Sequence, residues 1–136
     1  MRTGHCHCGQ VRYEFDGEPT DASFCHCSIC RRLTGSAFGS WSEVPGKNFR
    51  WSSGRANVST YRITDRLETL FCRTCGVTML ARHSKWPDFR YIPLGTLDSD
   101  GDIAPAYHQF TGSKAAWYKI HDSMPQYETW PEGEER

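Results

Sequence analysis

No stretch of this sequence approaches the roughly 18 apolar residues that a membrane-spanning helix requires, and the N-terminal MRTGHCHCGQ lacks the apolar run of a signal peptide. The expectation is a cytoplasmic protein that does not engage a membrane. Net charge is missing as well, since sixteen Lys and Arg balance sixteen Asp and Glu. Without a basic stripe to neutralise phosphates, nucleic acid is not an expected partner. Hydrophobic residues are scarce, at 38% of the chain against 12 Gly and 7 Pro, which points to short elements, many turns and help from metal crosslinks. Absent too is any window of a dozen residues that keeps helical spacing of apolar positions among good helix formers. That excludes a helical bundle and leaves a mainly β fold with few short helices.

What is present supports the β reading. In GQVRYEF, Val11, Tyr13 and Phe15 alternate with Arg12 and Glu14, the period of a half-buried strand. AFGSWSEV, FRWSS, VSTYRI, ETLFC, VTMLARH, FRYIPLGTL and AYHQF are further short runs rich in aromatic or β-branched residues, with turn formers nearby. CSICRRLTG suits a short helix closed by Gly35, and GSKAAWYKI suits one more helical turn. A length of 136 residues fits one domain able to bury roughly two-thirds of its unfolded surface. We assign residues 1–128 to that single zinc-binding domain and 129–136 to a polar C-terminal tail.

The seven cysteines carry most of the information. They fall as C-x-C (Cys6, Cys8), C-x-C-x2-C (Cys25, Cys27, Cys30) and C-x2-C (Cys72, Cys75), separated by sixteen and forty-one residues. An odd count in tight clusters fits metal binding better than disulfides. In an extended segment, residues two apart share a face, so Cys6 and Cys8 can chelate one ion while His5 and His7 point away; the same alternation turns His26 from Cys25 and Cys27. FCRTCG reads as a knuckle, with Gly76 letting the backbone curl around both sulfurs. Pairing Cys6 and Cys8 with Cys72 and Cys75 gives a closed four-cysteine zinc. Cys25, Cys27 and Cys30 then cap a second ion from one side, and three protein ligands with an open fourth place describe a catalytic zinc.

Other readings stay open on the residues alone. The trio could borrow a cysteine from the other four, stranding three sulfurs. The knuckle could be a redox pair, although the βαβ context is lacking, and the sulfur count admits an iron-sulfur cluster with unusual spacing. Ser28, Arg31, Arg32, Thr34 and Ser36 sit beside the ligand turn, either as contacts to a substrate or as caps, turn bonds and exposed charges. Trp41, Trp51, Trp86, Trp117 and Tyr107 are core residues or pocket walls. His108 reads as a buried, hydrogen-bonded histidine or, with Asp122, as a candidate for acid-base work.

The blocks GHCHCGQVRYEF, FCHCSICRRLTGSAF, FRWSSGRANVSTYR, LFCRTCGVTML and YHQF…AAWYKIHDSMPQYE span most of residues 4–128. In this order they resemble the glutathione-dependent formaldehyde-activating enzymes, which are grouped with centromere protein V. The resemblance implies a zinc-stabilised β-sheet fold of the β-tent, exchange-factor-like type. It implies a structural zinc at Cys6, Cys8, Cys72 and Cys75 and a labile catalytic zinc at Cys25, Cys27 and Cys30. The implied activity is that of a carbon-sulfur lyase, S-(hydroxymethyl)glutathione synthase, joining formaldehyde to the thiol of glutathione. The carboxylates of glutathione would meet Ser28, Arg31, Arg32, Thr34 and Ser36. The alternative implied by the same resemblance is a non-enzymatic zinc-stabilised binding or scaffold module.

Overall fold

A computed structural model describes residues 1–99 and 102–131. Its strands are short, as the turn-rich composition requires, and they fall into two compact units. The first unit comprises Met1–Thr20 and Ser42–Ile103. One part of it is a three-stranded antiparallel sheet in which β2 (Arg12–Phe15) lies between β1 (Arg2–His5) and β5 (Phe49–Ser53). The expected alternation holds: Val11, Tyr13 and Phe15 are buried and Arg12 is exposed. The buried Tyr13 hydroxyl meets the Thr96 hydroxyl at 2.8 Å, which satisfies a group that would otherwise oppose burial.

The rest of this unit runs β4-β9-β8-β7-β6, using the second half of β4 (Gly39–Pro45) with β6 (Val58–Arg62), β7 (Leu67–Cys72), β8 (Thr78–His83) and β9 (Phe89–Pro93). The β6–β7 and β7–β8 pairs are antiparallel. Val11, Tyr13, Phe15, Val44, Leu70, Met79, Leu80 and Ile92 form one core that also takes in Cys6 and Cys72. Two cysteines of the expected four-cysteine cluster are thus part of the hydrophobic interior.

The second unit comprises Asp21–Trp41 and the chain from Ala104 onward. It contains β3 (Thr20–Cys25), the one α-helix among the described residues, α1 (Ser28–Thr34), the first half of β4, and β10 (Tyr107–Gln109). The strand order is β10-β3-β4, and β10 runs parallel to β3 with Gln109 opposite Cys25. Gly35 ends α1 at φ 64°, a left-handed cap that an L side chain resists, and its amide donates to the Arg31 carbonyl. The rings of Phe24, His26, Phe38, His108 and Tyr118 pack on one another with centroids 4.5–6.2 Å apart.

Two strands lie outside the expected runs. β1 reads RTGH and β3 reads TDASFC, each too polar to signal burial by period alone. FRYIPLGTL stops as a strand at Pro93 and continues as a 3-10 turn over Leu94–Thr96. The helical turn expected in GSKAAWYKI sits earlier, as a 3-10 turn over Thr111–Ser113. Beyond it, Lys114 donates to the carbonyls of Ala115 and Tyr118, which occupies acceptors that a continued helix would use. Of the expected polar tail, residues 132–136 lie outside the described residues.

Candidate functional site

Cys6 follows the end of β1, and the chain then turns tightly, with the Gly9 amide donating to the Cys6 carbonyl at 3.2 Å. Cys6 and Cys8 converge because of this turn rather than through strand alternation, which ends at His5. The His5 ring is engaged by the Asp98 carboxylate and His7 is exposed. Cys72 closes β7, and the amide of Gly76 returns to its carbonyl at 2.8 Å with φ +80° at the glycine. Cys75 sits inside that knuckle. Sulfur separations are 3.6 Å for Cys6–Cys8 and 3.7 Å for Cys8–Cys72. A tetrahedron of sulfurs about 2.3 Å from a zinc ion has edges of roughly 3.8 Å, so these donors fit the ion.

Two donors orient the sulfurs from outside the cluster. The Val11 amide lies 3.4 Å from Cys6 Sγ, and Asn57 Nδ2 lies 3.4 Å from Cys72 Sγ. Asn57 also donates to Thr74 Oγ1 at 2.9 Å, and its carbonyl accepts the Arg73 amide at 2.8 Å. Sequence reasoning missed Asn57, because nothing in GRAN ties it to a knuckle fifteen residues on.

The second cluster is local. Cys25 is the last residue of β3, Cys27 is the N-cap of α1, and Cys30 lies in the first helical turn. Cys27 Sγ accepts the Cys30 amide at 3.3 Å, so a prospective ligand also satisfies one of the free donors at the helix start. The three sulfurs lie within 4.8 Å of one another, as do the four of the first cluster. Hydrogen bonding from Cys25, then Cys30, drives the Cys27 thiol strongly down, while the Cys25 thiol is pushed up to about 12, chiefly by its bond with Cys27.

The polar residues beside this turn are placed unevenly. Ser28, Arg32, Thr34 and Ser36 are exposed and Arg31 is half-buried. The Thr34 hydroxyl donates to the Cys30 carbonyl at 2.8 Å and accepts the Ser36 amide at 3.2 Å, which gives it a place in the helix end. Arg31 Nε and Trp41 Nε1 are buried and lack a partner among the described residues. Trp41 Nε1 lies where a Cβ on Gly39 would come within 2.5 Å of it, and the same Cβ would be 3.4 Å from Cys30 Cβ. Of the other aromatics singled out, Trp51 packs on the first unit's core, Trp86 stacks near His83, Tyr107 donates to Asp21 and Trp117 is exposed.

His26 is not part of the three-sulfur group, and what its ring meets was not foreseen. Its ring is fully buried and Nε2 lies 2.8 Å from His108 Nδ1, while His108 Nε2 lies 2.9 Å from Asp122 Oδ2. Asp122 Oδ1 accepts the Met124 amide at 3.0 Å. Burial, with help from His108, brings His26 down to about 4, so the ring is neutral. The bond from His108 holds the Asp122 carboxyl below its usual range.

Fold and sites together define a mainly β protein with two cysteine clusters able to hold zinc. The chain belongs to the family described as glutathione-dependent formaldehyde-activating enzyme, whose sequence profile matches residues 1–113. Residues 114–128, within which the late block of the resemblance extends, lie beyond that match. A Halomonas elongata protein named a putative glutathione-dependent formaldehyde-activating enzyme is 27% identical over 124 residues, 86% of this chain and 79% of its own. A Schizosaccharomyces pombe protein named an uncharacterized lyase is 30% identical over 76 residues, covering 56% of this chain and 53% of that protein. The crystal structure of a Rhodobacter sphaeroides protein superposes with a TM-score of 0.63 at 26% identity, over 74% of this chain and 91% of its own.

Proposed function

We propose that this chain is a zinc-dependent carbon-sulfur lyase of the S-(hydroxymethyl)glutathione synthase type, joining an aldehyde such as formaldehyde to a thiol such as glutathione. The observation that carries this reading is the inequality of the two clusters: four sulfurs complete a tetrahedron, whereas Cys25, Cys27 and Cys30 supply three donors. Cys6, Cys8, Cys72 and Cys75 would hold a structural ion and the trio a labile, reactive one. Zinc bound by three protein ligands favours ionisation of a thiol and polarises a carbonyl oxygen.

This chain's residues would do the rest. The trio sits where strand gives way to helix, which fixes three sulfurs on rigid elements. Arg31 and Arg32 would attract the carboxylates of a glutathione-like thiol, with Ser28, Thr34 and Ser36 at the rim of the same turn. The reaction balances without a redox partner: the sulfur electron pair forms the C–S bond, the C=O π bond opens, and the thiol's proton ends on the new hydroxyl.

Turnover of formaldehyde with glutathione on zinc-loaded protein is compared with Cys27→Ser, each against the protein-free mixture, since thiols and formaldehyde combine unaided. The expected result is acceleration by the native chain alone. Equal rates for both chains and for the protein-free control would remove the proposed chemistry and leave the binding-module alternative.

A further inference from the structure

Cys30 is the one buried residue of α1, and it lies against Gly39 of β4. A Cβ on Gly39 would stand 3.4 Å from Cys30 Cβ and 2.5 Å from Trp41 Nε1, with Trp41 Cε2 at 3.3 Å. Residues two apart in a strand share a face, so the indole leans back along β4 over Gly39, on the side where Cys30 packs. Any side chain at position 39 would displace it. Glycine there is what lets the nitrogen edge of Trp41 lie beside the base of a trio cysteine.

That nitrogen can only donate, and it is buried without a partner among the described residues. An indole N–H usually finds an acceptor when buried. Leaving a buried donor unpaired costs about 1–3 kcal/mol, and native proteins leave few such groups without a ligand or an ordered water to complete them. Packing alone would be served by phenylalanine at no such cost. The acceptor that Trp41 calls for must reach the neighbourhood of Cys30. The carboxylates of a glutathione-like thiol lie far along the molecule from its sulfur, and cations suit them better. A neutral N–H beside the trio suits the small oxygen carried by the carbon that the sulfur attacks.

We propose that Trp41 Nε1–H donates a hydrogen bond to the aldehyde-derived oxygen of the ligand that reaches Cys25, Cys27 and Cys30, which makes Trp41 a substrate-contacting residue. The inference rests on the proposed thiol and aldehyde chemistry. As the C–S bond forms, the C=O π pair moves onto that oxygen, and the N–H stabilises the charge while keeping its own proton. The proton of the product hydroxyl is the thiol's. A donor fixed in place before the charge develops needs no reorganisation, and one such donor is worth about 100-fold in turnover.

The test follows the indole N–H signals of zinc-loaded native protein by 1H–15N NMR, with the Trp41 signal identified by its loss in Trp41→Phe. Glutathione alone should move backbone amides around Cys25, Cys27 and Cys30 and leave the Trp41 signal in place. Formaldehyde added to that sample should then move it to higher frequency. Binding of both with an unmoved indole overturns the inference and leaves the proposed function standing. Movement with glutathione alone, or with formaldehyde and no thiol, also overturns it, because the oxygen of the adduct is then not what the indole meets. No response to either ligand removes the proposed function, and the inference with it. In turnover, Trp41→Phe should keep its zinc and its KM for glutathione and lose about 100-fold in kcat; an unchanged kcat, or a loss that tracks loss of zinc, assigns Trp41 to packing and overturns the contact. Should that variant not fold, Gly39→Ala, which presses on the indole, identifies the signal and the native spectra decide.

Discussion

The four-cysteine cluster gathers sulfurs from two segments whose nearest members, Cys8 and Cys72, are 64 residues apart, whereas the three-cysteine cluster takes all its donors from six consecutive positions. In the first, an ion would close a long loop, and Cys6 and Cys72 are core residues, so metal binding and folding are expected to be one event. In the second, a strand end and a helix start present the sulfurs whether or not an ion is bound. On the proposed reading, the first cluster would keep its metal and the second would let a fourth ligand exchange.

The sharpest test of this difference is to cut one sulfur from each cluster. Cys72→Ser removes a fully buried ligand and should forfeit much of a contribution on the order of 10 kcal/mol, which exceeds the stability of many small domains; circular dichroism should find the chain largely unfolded. Cys27→Ser should instead fold, because serine is a good N-cap and the loss there is about 1 kcal/mol or less. It should bind one zinc fewer and lose at least about 100-fold in turnover. A native-like thermal transition in Cys72→Ser would break the distinction.

Metal removal probes the contrast without mutation. A competing chelator is expected to take zinc in two phases of equal amplitude, the fast phase belonging to Cys25, Cys27 and Cys30. The same fast phase should be missing from Cys27→Ser. One uniform phase in the native chain would mean that the clusters hold metal alike.

Smaller changes refine it. Gly39→Ala would press a methyl group on the Trp41 indole and Cys30, at an expected cost of about 1–3 kcal/mol; its signature is a faster first chelator phase with the second unchanged. Asn57→Ala should do the reverse, since it removes the donor to Cys72 Sγ and Thr74. Loss of such an outer partner weakens metal binding about 10–100-fold, read here as a faster second phase, with about 1 kcal/mol lost in urea unfolding.

The contrast also explains what was legible in the sequence. Strands with a clean period, such as RYEF and FRWSS, were readable because one face is apolar, and α1 was readable because Gly35 terminates it. Spacing and ligand counting favoured the grouping of sulfurs that the structure shows, while leaving a borrowed cysteine open. The turn that joins Cys6 to Cys8 was hidden, because C-x-C suits a strand as well as a turn. β1 and β3 were hidden because RTGH and TDASFC lack an apolar stripe. Asn57 and the link from His26 to His108 were hidden for a different reason: they depend on contacts as much as 82 residues apart, which no local pattern encodes.

The Cys27 sulfur would have two employers, the proposed metal and the Cys30 amide in the first turn of α1. Oxygen from serine, threonine, asparagine or aspartate can fill the second post but not serve a soft cation equally well in the first. If the proposed aldehyde chemistry holds, a descendant that drifted away from it can exchange this atom and inherit an undisturbed architecture, so that sterile and active siblings would be told apart by a single side chain.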